Sequence, residues 1–592
     1  MSPDGNLVAY VTRMDKARVL MVLDLAKHQR RSVIAAVQES FEITSCTFKN
    51  DERLLCAYRG NHVFRGNSYP VTRLVAVDAT GTSEPKVLIQ NGDSGSAQFQ
   101  DRILDWLPED SRHVLIQLSG DGDPFPGVYK LDVYTGTMDQ VERPRTPILR
   151  WLTDRDGVVR FGYGFERDKH TYIARDSRDA PWRTLATWVI GHENFTVIGF
   201  GAAPGTLLVE APYEGRSAIF EMDLHERKGR KLLFSHPEVD VGVPIYWPAD
   251  RTLIGFEYHT DRPQRILFDE KARIIYSSLD SLRPGEYVTV TAASRDETKL
   301  LVVSQSDMHP DQYYVLDIND KKLINVGSAN PALEDVSLAP VKAVTIRAAD
   351  GQVLPGYLTL PAGSNGKNLP TVVFPHDGPY ERTGWGFDPM VQFMASRGYA
   401  VVQVNFRGST GYGEQWYKAG LRNWGTVMVD DINAATKWAI AEGVAQPGHI
   451  CIAGWDFGGY AALMSSIREP ALYRCAVSIA GISDLRAFAV EKKRFYGGLE
   501  WSDYAIGENN SGLVTGSPLR MPDKVSVPVL LVHGDRDVEV DVDHSHRMAR
   551  ALAREKKKFE LVVIPDGNHS LSRYEWRETL LTKLEAFLAA NN

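Results

Sequence analysis

Along the first 335 residues, short apolar runs alternate with polar turns, and the arrangement repeats. A polar turn opens a β-rich run at Pro3-Asp4-Gly5, Asn50-Asp51, Glu109-Asp110, Asp156-Gly157, Pro204-Gly205, Ala249-Asp250 and Arg295-Asp296. An apolar strand is closed by an aspartate at Asp24, Asp78, Asp132, Asp176, Asp223, Asp269 and Asp317, at intervals of 44 to 54 residues. Two markers that keep one order and nearly one spacing through seven occurrences are the mark of propeller blades. Runs such as Val114-Leu115-Ile116 and Leu300-Leu301-Val302-Val303 are apolar and rich in β-branched residues, as strands require. No segment of this half keeps a helical period over three turns. The pattern predicts seven four-stranded blades over residues 1–335, with the chain beginning inside the first repeat.

From about Val341 the pattern changes. A hairpin turning at Asp350-Gly351 is followed by apolar runs at Thr371–Pro375, Tyr399–Val404, Ile450–Ala453, Cys475–Ile479, Val529–Val532 and Glu560–Ile564. Helical stretches fall at Met390–Ser396, Thr426–Ala441, Gly458–Ile467, Val542–Ala553 and Arg573–Ala589. Alternating β and α segments with short, continuous apolar strands predict a mostly parallel sheet covered on both faces, over residues 336–592. The fold class is therefore an all-β seven-bladed propeller followed by an α/β domain. In such sheets the chemistry sits in loops at the carboxyl ends of strands.

Composition narrows the partners. The chain has 67 basic and 75 acidic residues, a net charge of −8, which disfavours nucleic acid and anionic membranes. No run approaches the roughly 20 apolar residues of a membrane helix, and the start shows no signal peptide. These features fit a soluble protein and leave cytoplasm and periplasm both open. Nothing points to a metal or organic cofactor. His544 and His546, with Asp541 and Asp543, read as polar residues at the start of an exposed helix. The four cysteines, Cys46, Cys56, Cys451 and Cys475, read as buried free thiols, with a cross-strand bridge at the first pair as the alternative.

The stretch that carries chemistry is Gly454-Trp455-Asp456-Phe457-Gly458, between an apolar strand and a helix. Small residues on both sides permit the strained turn of a nucleophile elbow, G-x-S-x-G, which thrusts its middle residue outward. Here that residue is Asp456. Asp537 follows the strand Val529–Val532, and His569 follows the last strand. The order nucleophile, acid, histidine is that of α/β-hydrolases.

The domain resembles the catalytic domain of the prolyl oligopeptidase family, in particular its acylaminoacyl-peptidase and dipeptidyl-peptidase-like bacterial members. The resemblance rests on His376-Asp377-Gly378-Pro379, on Asn405-Phe406-Arg407-Gly408-Ser409-Thr410-Gly411-Tyr412-Gly413, and on Trp424-Gly425 through Asp430-Asp431. The elbow, Ser517-Pro518, His533-Gly534 with Asp537, and His569 complete it, and the propeller in front agrees. It implies an α/β-hydrolase fold and serine-type hydrolysis of short peptides held in a chamber between the domains. By position it implies that Asp456 occupies the nucleophile site, His569 is the base and Asp537 orients that base. The oxyanion donors would be the N–H groups of Phe457 and Gly378, and Arg407 is a weak candidate for gripping substrate.

Two departures cluster at one spot. The family pattern has serine at 456 and glycine at 377, so this chain adds two carboxylates near the oxyanion hole. A carboxylate that attacks an amide forms an intermediate from which it is itself the better leaving group, and the intermediate collapses backwards. The expectation is that Asp456 accepts the oxyanion donors, lies within salt-bridge reach of His569 and raises its pKa above roughly 6.5. Three readings follow. The first is a family member with little or no peptidase activity, serving as a binding or scaffolding protein. The second is an active serine peptidase represented by an inactivated sequence. The third is a hydrolase that uses Asp456 as nucleophile on alkyl electrophiles.

Overall fold

The computed structural model describes all residues except 15–16, 36–40, 65–66, 91–96, 121–122, 194, 204, 225–228 and 509. Pro204 of the fifth turn signal thus lies outside the described residues. Within the described residues, positions 7–328 form seven antiparallel sheets arranged as propeller blades. Both sequence markers have a physical role. Side chains in the opening turns, including Asn50, Asp110 and Asp250, accept backbone N–H groups two or three residues ahead and so set the turn before the second strand. Asp24, Asp132 and Asp317 of the closing aspartates do the same after the third strand. Asp24 accepts from Ala26 and Lys27, and Asp132 accepts from Tyr134 and Thr135.

Five blades are four-stranded, but the first and sixth have three strands each, which corrects the expectation of seven equal blades. In the first blade the opening turn precedes Leu7–Met14 and Asp24 ends Ala17–Asp24, so its three strands correspond to the second, third and fourth of a full blade. In the sixth, a helix replaces the fourth strand: α1, Glu270–Leu282. Asp269 accepts the Ala272 N–H and caps this helix instead of closing a hairpin. A helical period therefore does run over three turns here. Ala272, Tyr276 and Leu279 form its buried face, while Ile274 and Leu282, 62% and 56% exposed, blur the pattern in sequence.

The second domain is one eight-stranded sheet: β1 Val341–Arg347, β2 Val353–Thr359, β3 Leu369–Val373, β4 Ala400–Val404, β5 Ala445–Trp455, β6 Cys475–Ile479, β7 Val529–Gly534 and β8 Phe559–Ile564. Its order is β1-β2-β4-β3-β5-β6-β7-β8, with antiparallel pairing at β1-β2 and β2-β4 and parallel pairing elsewhere. Alternate residues feed two cores. Val372, Val401 and Leu530 face α2 (Pro389–Ser396) and the C-terminal helix, whereas Val373, Val402 and Leu531 face the opposite helices. The remaining helices are α3 Glu414–Gly420, α4 Val429–Ala441, α5 Phe457–Arg468, α6 Leu485–Lys492, α7 Gly498–Ala505, α8 Asn510–Thr515, α9 Asp543–Arg554 and α10 Tyr574–Asn591.

The cysteine reading is corrected. Cys46 and Cys56 are register partners on neighbouring strands, as are Cys451 and Cys475 on β5 and β6. Their Cα atoms lie 4.1 and 4.7 Å apart, and each pair is joined as a disulfide. The domains meet through the Arg573–Glu42 ion pair at 3.1 Å, the Gly413 N–H to Asp240 at 2.9 Å, and the Tyr496 hydroxyl to the Phe165 carbonyl at 2.8 Å. Among the described residues no helix is long and apolar enough to cross a membrane.

Candidate active site

The chain turns sharply between β5 and α5, and Asp456 sits at the turn with φ +50°. The two flanking glycines are required by close backbone approach. A Cβ on Gly454 would stand 2.3 Å from the Gly458 carbonyl carbon, and one on Gly458 would stand 2.5 Å from the Pro375 oxygen. The Asp456 N–H donates to the Ile479 carbonyl at 2.9 Å, and its carbonyl accepts from Tyr460 at 3.0 Å. The elbow is thus fixed to β6 on one side and to the first turn of α5 on the other.

Asp537 and His569 come to the same place from the ends of β7 and β8. His569 Nδ1 lies 2.7 Å from Asp537 Oδ2, and the Asp537 side chain is fully buried. Asp537 also accepts the N–H groups of Glu539 and Val540 and lies 3.2 Å from His533 Nε2. Burial opposes its charge, but hydrogen bonds from His533 and His569 outweigh burial and hold its carboxyl well below the usual range. His569 shows the mirror effect. Burial disfavours the imidazolium, yet the Asp537 hydrogen bond and charge, with Asp456 and Glu539 behind them, push it up to about 9. Trp455 adds a further tether, its indole N–H donating to the His569 carbonyl at 3.0 Å.

Two expectations about Asp456 fail. No His569 nitrogen approaches its carboxylate within 4.0 Å; the next carboxylate from His569 Nε2 is that of Glu539, at 4.0 Å. The imidazole is held by Asp537 and by the Trp455 tether, and the short aspartate side chain does not reach it. Nor does Asp456 accept the helix N–H groups, since it makes no side-chain cap of α5. Its Oδ1 is fully enclosed without a hydrogen-bond partner, while the residue as a whole keeps part of its surface open. Burial pushes its carboxyl up to about 7, His569 and Lys492 draw it down, and Asp377 and Asp537 push it further up.

The other expected residues divide. Phe457 is the first residue of α5, with its ring buried against Trp424 and Phe406, and Gly378 follows Pro375 and His376, whose carbonyl oxygens face Gly458 of the elbow. The Asp377 side chain is exposed and forms no ion pair among the described residues. Arg407 is tied within its own domain: it binds Asp431 through Nε and Nη2 at 2.9 and 2.6 Å and Asp350 through Nη1 at 2.5 Å. Asp431 is completely buried, so Arg407 locks its loop to α4. His544 is also buried, accepting from the Ser483 N–H at 3.1 Å, and the start of α9 is not an exposed polar cap. Sequence reasoning missed Lys492 and Glu539. Lys492 donates to the Glu539 carbonyl at 3.2 Å, lies over the Phe488 ring at 4.4 Å, and is felt by both Asp456 and Asp537. An ammonium at the end of an otherwise ordinary helix leaves no motif to read.

A cleft of about 680 Å³ opens beside His569 and Glu539 and is lined by both domains, with Arg18 and Glu42 from the propeller, Arg573 just before α10 and Trp576 from its first turn. With the strand order, the elbow and the acid–histidine pair in place, comparison with known proteins decides the relationship. Residues 385–591 match the prolyl oligopeptidase family. The C-terminal domain belongs to that family. Dipeptidyl aminopeptidase BIII of Pseudoxanthomonas mexicana is 27% identical over 497 residues, covering 81% of this chain and 72% of that protein. Dipeptidyl peptidase family member 6 of Caenorhabditis elegans is 26% identical over 513 residues, covering 78% and 68%. A Mycobacterium tuberculosis puromycin-hydrolyzing peptidase shares the whole fold, with a TM-score of 0.75 at 19% identity over 100% of this chain and 96% of that one. The family's fold of propeller plus α/β-hydrolase domain is therefore the fold of this chain.

Proposed function

We propose that this protein is a prolyl oligopeptidase-family homologue that receives short peptides between its two domains and cleaves them poorly or not at all. Asp456 is the nucleophile-position residue, His569 the base-position residue and Asp537 its orienting carboxylate, while the Phe457 and Gly378 N–H groups face the reacting carbonyl. Peptides are the ligand class because relatives carry peptidase names, and an acylaminoacyl peptidase of like fold was solved with Z-Gly-Gly-Phe-chloromethyl ketone.

The observation that carries the reading is the carboxylate at the elbow. A serine alkoxide expels an amine because the amine, once protonated by histidine, leaves more readily than the alkoxide. For Asp456 the preference reverses, and attack on a peptide returns to substrate. His569, pushed up to about 9, also holds its proton at neutral pH and cannot take another. The carboxylates of Asp456 and Asp377, which act on one another, add negative potential beside the elbow, and that opposes an oxyanion in the transition state. The test is to incubate wild type with N-acylated and free-amine short peptides and follow products by mass spectrometry. Intact peptides are expected, and turnover near ordinary peptidase rates would overturn the reading.

A further inference from the structure

We propose that the cleft between the two domains binds the carboxylate of a short peptide, with Arg59 as its direct partner and Arg18 as a second cation from the propeller side. This rests on the peptide reading above and adds the charge of the ligand. The frame is the second blade, where Phe41–Phe48 and Arg53–Phe64 are neighbouring antiparallel strands. Successive side chains of a strand point to opposite faces, so Arg59 and Asn61 share one face with Glu42, the register partner of Arg59. All three line the cleft of about 680 Å³ that His569 also lines. Arg59 is exposed, so its guanidinium is open to a ligand in the cleft.

The charges around Arg59 decide the class of ligand, because each carboxylate of the cleft already faces another cation. Glu42, which stands opposite Arg59, is taken across the domain boundary by Arg573 at 3.1 Å. Asp566 lies 3.6 Å from Arg536. Glu539 lies 4.0 Å from His569 Nε2, and the Nδ1 of that ring is bound to Asp537. Two guanidinium groups remain without a carboxylate. Arg18 donates to the Ile43 carbonyl at 3.2 Å, which holds it against the strand that carries Glu42. The Arg59 side chain has no hydrogen bond or ion pair among the described residues. The propeller side of the cleft is thus left with unmatched positive charge, although the chain as a whole carries −8. A carboxylate is the anion that short peptides carry, and a guanidinium receives it through two parallel charge-assisted hydrogen bonds. The volume falls in the range of roughly 300–1,000 Å³ usual for small-ligand sites. Trp576 adds an aromatic surface from the other domain.

The carboxylate can be a peptide's C-terminus or an acidic side chain, and two matched pairs separate them. Isothermal titration of wild type at pH 7.5 and low salt would compare N-acetyl-phenylalanyl-glycine with its C-terminal amide. The second pair is N-acetyl-phenylalanyl-glutamate α-amide and N-acetyl-phenylalanyl-glutamine amide. The anionic member of at least one pair should bind at least about tenfold more tightly, and the pair that shows the gap names the source. Arg59→Gln should close that gap. Arg18→Gln should narrow it, and an unchanged gap there would take Arg18 out of the site. Equal binding within both wild-type pairs, or a gap that survives Arg59→Gln, would overturn the inference and leave the function proposed above in place. Binding by none of the four would overturn both. Mass spectrometry of the same samples reads the function separately. Cleaved peptide would sink the proposed function, and the charge preference would then be taken from the ratio of kcat/KM values within each pair.

Discussion

Replacing Asp456 by asparagine should stabilise the protein, and more so in alkali than in acid. The carboxyl, ordinarily near 3.8, is pushed up to about 7, chiefly by burial and against the pull of His569 and Lys492. The folded protein therefore keeps a proton that the unfolded chain releases. Stability falls as pH rises from about 3.8 to about 7, and the full penalty stands above that window. At about 1.36 kcal/mol per tenfold, the displacement corresponds to an upper bound of about 4 kcal/mol. Because the residue keeps part of its surface open, solvent screening reduces this, and the expected gain on removing the charge at pH 8.5 is about 2 kcal/mol. For a domain of this size that is a rise in unfolding midpoint of roughly 4–8 °C. At pH 5 the gain should be less than half as large. Differential scanning calorimetry of both proteins at the two pH values reads it directly. An equal rise at both, or a fall at pH 8.5, would refute the account of an uncompensated elbow carboxylate.

The His569 imidazole should titrate near 9 in wild type by NMR. Asp537→Asn should lower it further than Asp456→Asn does, because only Asp537 is hydrogen-bonded to the ring; equal drops would contradict this. Gly458→Ala should cost roughly 1–3 kcal/mol in a denaturant titration, since its Cβ would press on the backbone of Pro375 and neither side can move freely. Arg407→Ala should cost about 3–5 kcal/mol by leaving Asp431 buried and unpaired, and a loss below about 1 kcal/mol would show that the loop does not depend on the pair.

How much was legible in the sequence depended on how local its cause was. The turn and aspartate markers reported the propeller because residues such as Asn50, Asp110, Asp24 and Asp132 act on their own hairpins, through N–H groups two or three residues away. The parallel strands were legible because β4, β6 and β7 are buried along their whole length, and β3 and β5 in their C-terminal halves, so they read as continuous apolar runs. The helix α1 was not, because its sequence places Ile274 and Leu282 off the buried face. Helices α3, α6, α7 and α8 lie between motifs and are short, so few turns are available to show a period. At the site, positions along the chain identified Asp456, Asp537 and His569 as loop residues at strand ends. The distances between their side chains were not legible. A one-dimensional reading supplied an Asp456–His569 ion pair on charge alone, whereas Asp537 and the Trp455 tether decide where the ring sits. Arg407 carried the same ambiguity: the loop motif fixed its place, and only the buried Asp431 opposite revealed its role. The disulfides depended on register, which spacing in sequence does not determine.

The central claim is that the elbow carboxylate, and not a collapsed scaffold, stands between this site and serine-type chemistry. Asp456→Ser tests it. The variant should be labelled by a serine-directed fluorophosphonate and should hydrolyse an activated ester at least about a thousandfold faster than wild type, against a loss of roughly a million-fold known for removal of a triad serine. Adding Asp377→Gly should raise the rate again by lifting a negative charge from the oxyanion position. Wild type should neither be labelled nor turn over. Labelling of wild type, or silence from both variants, would contradict the account.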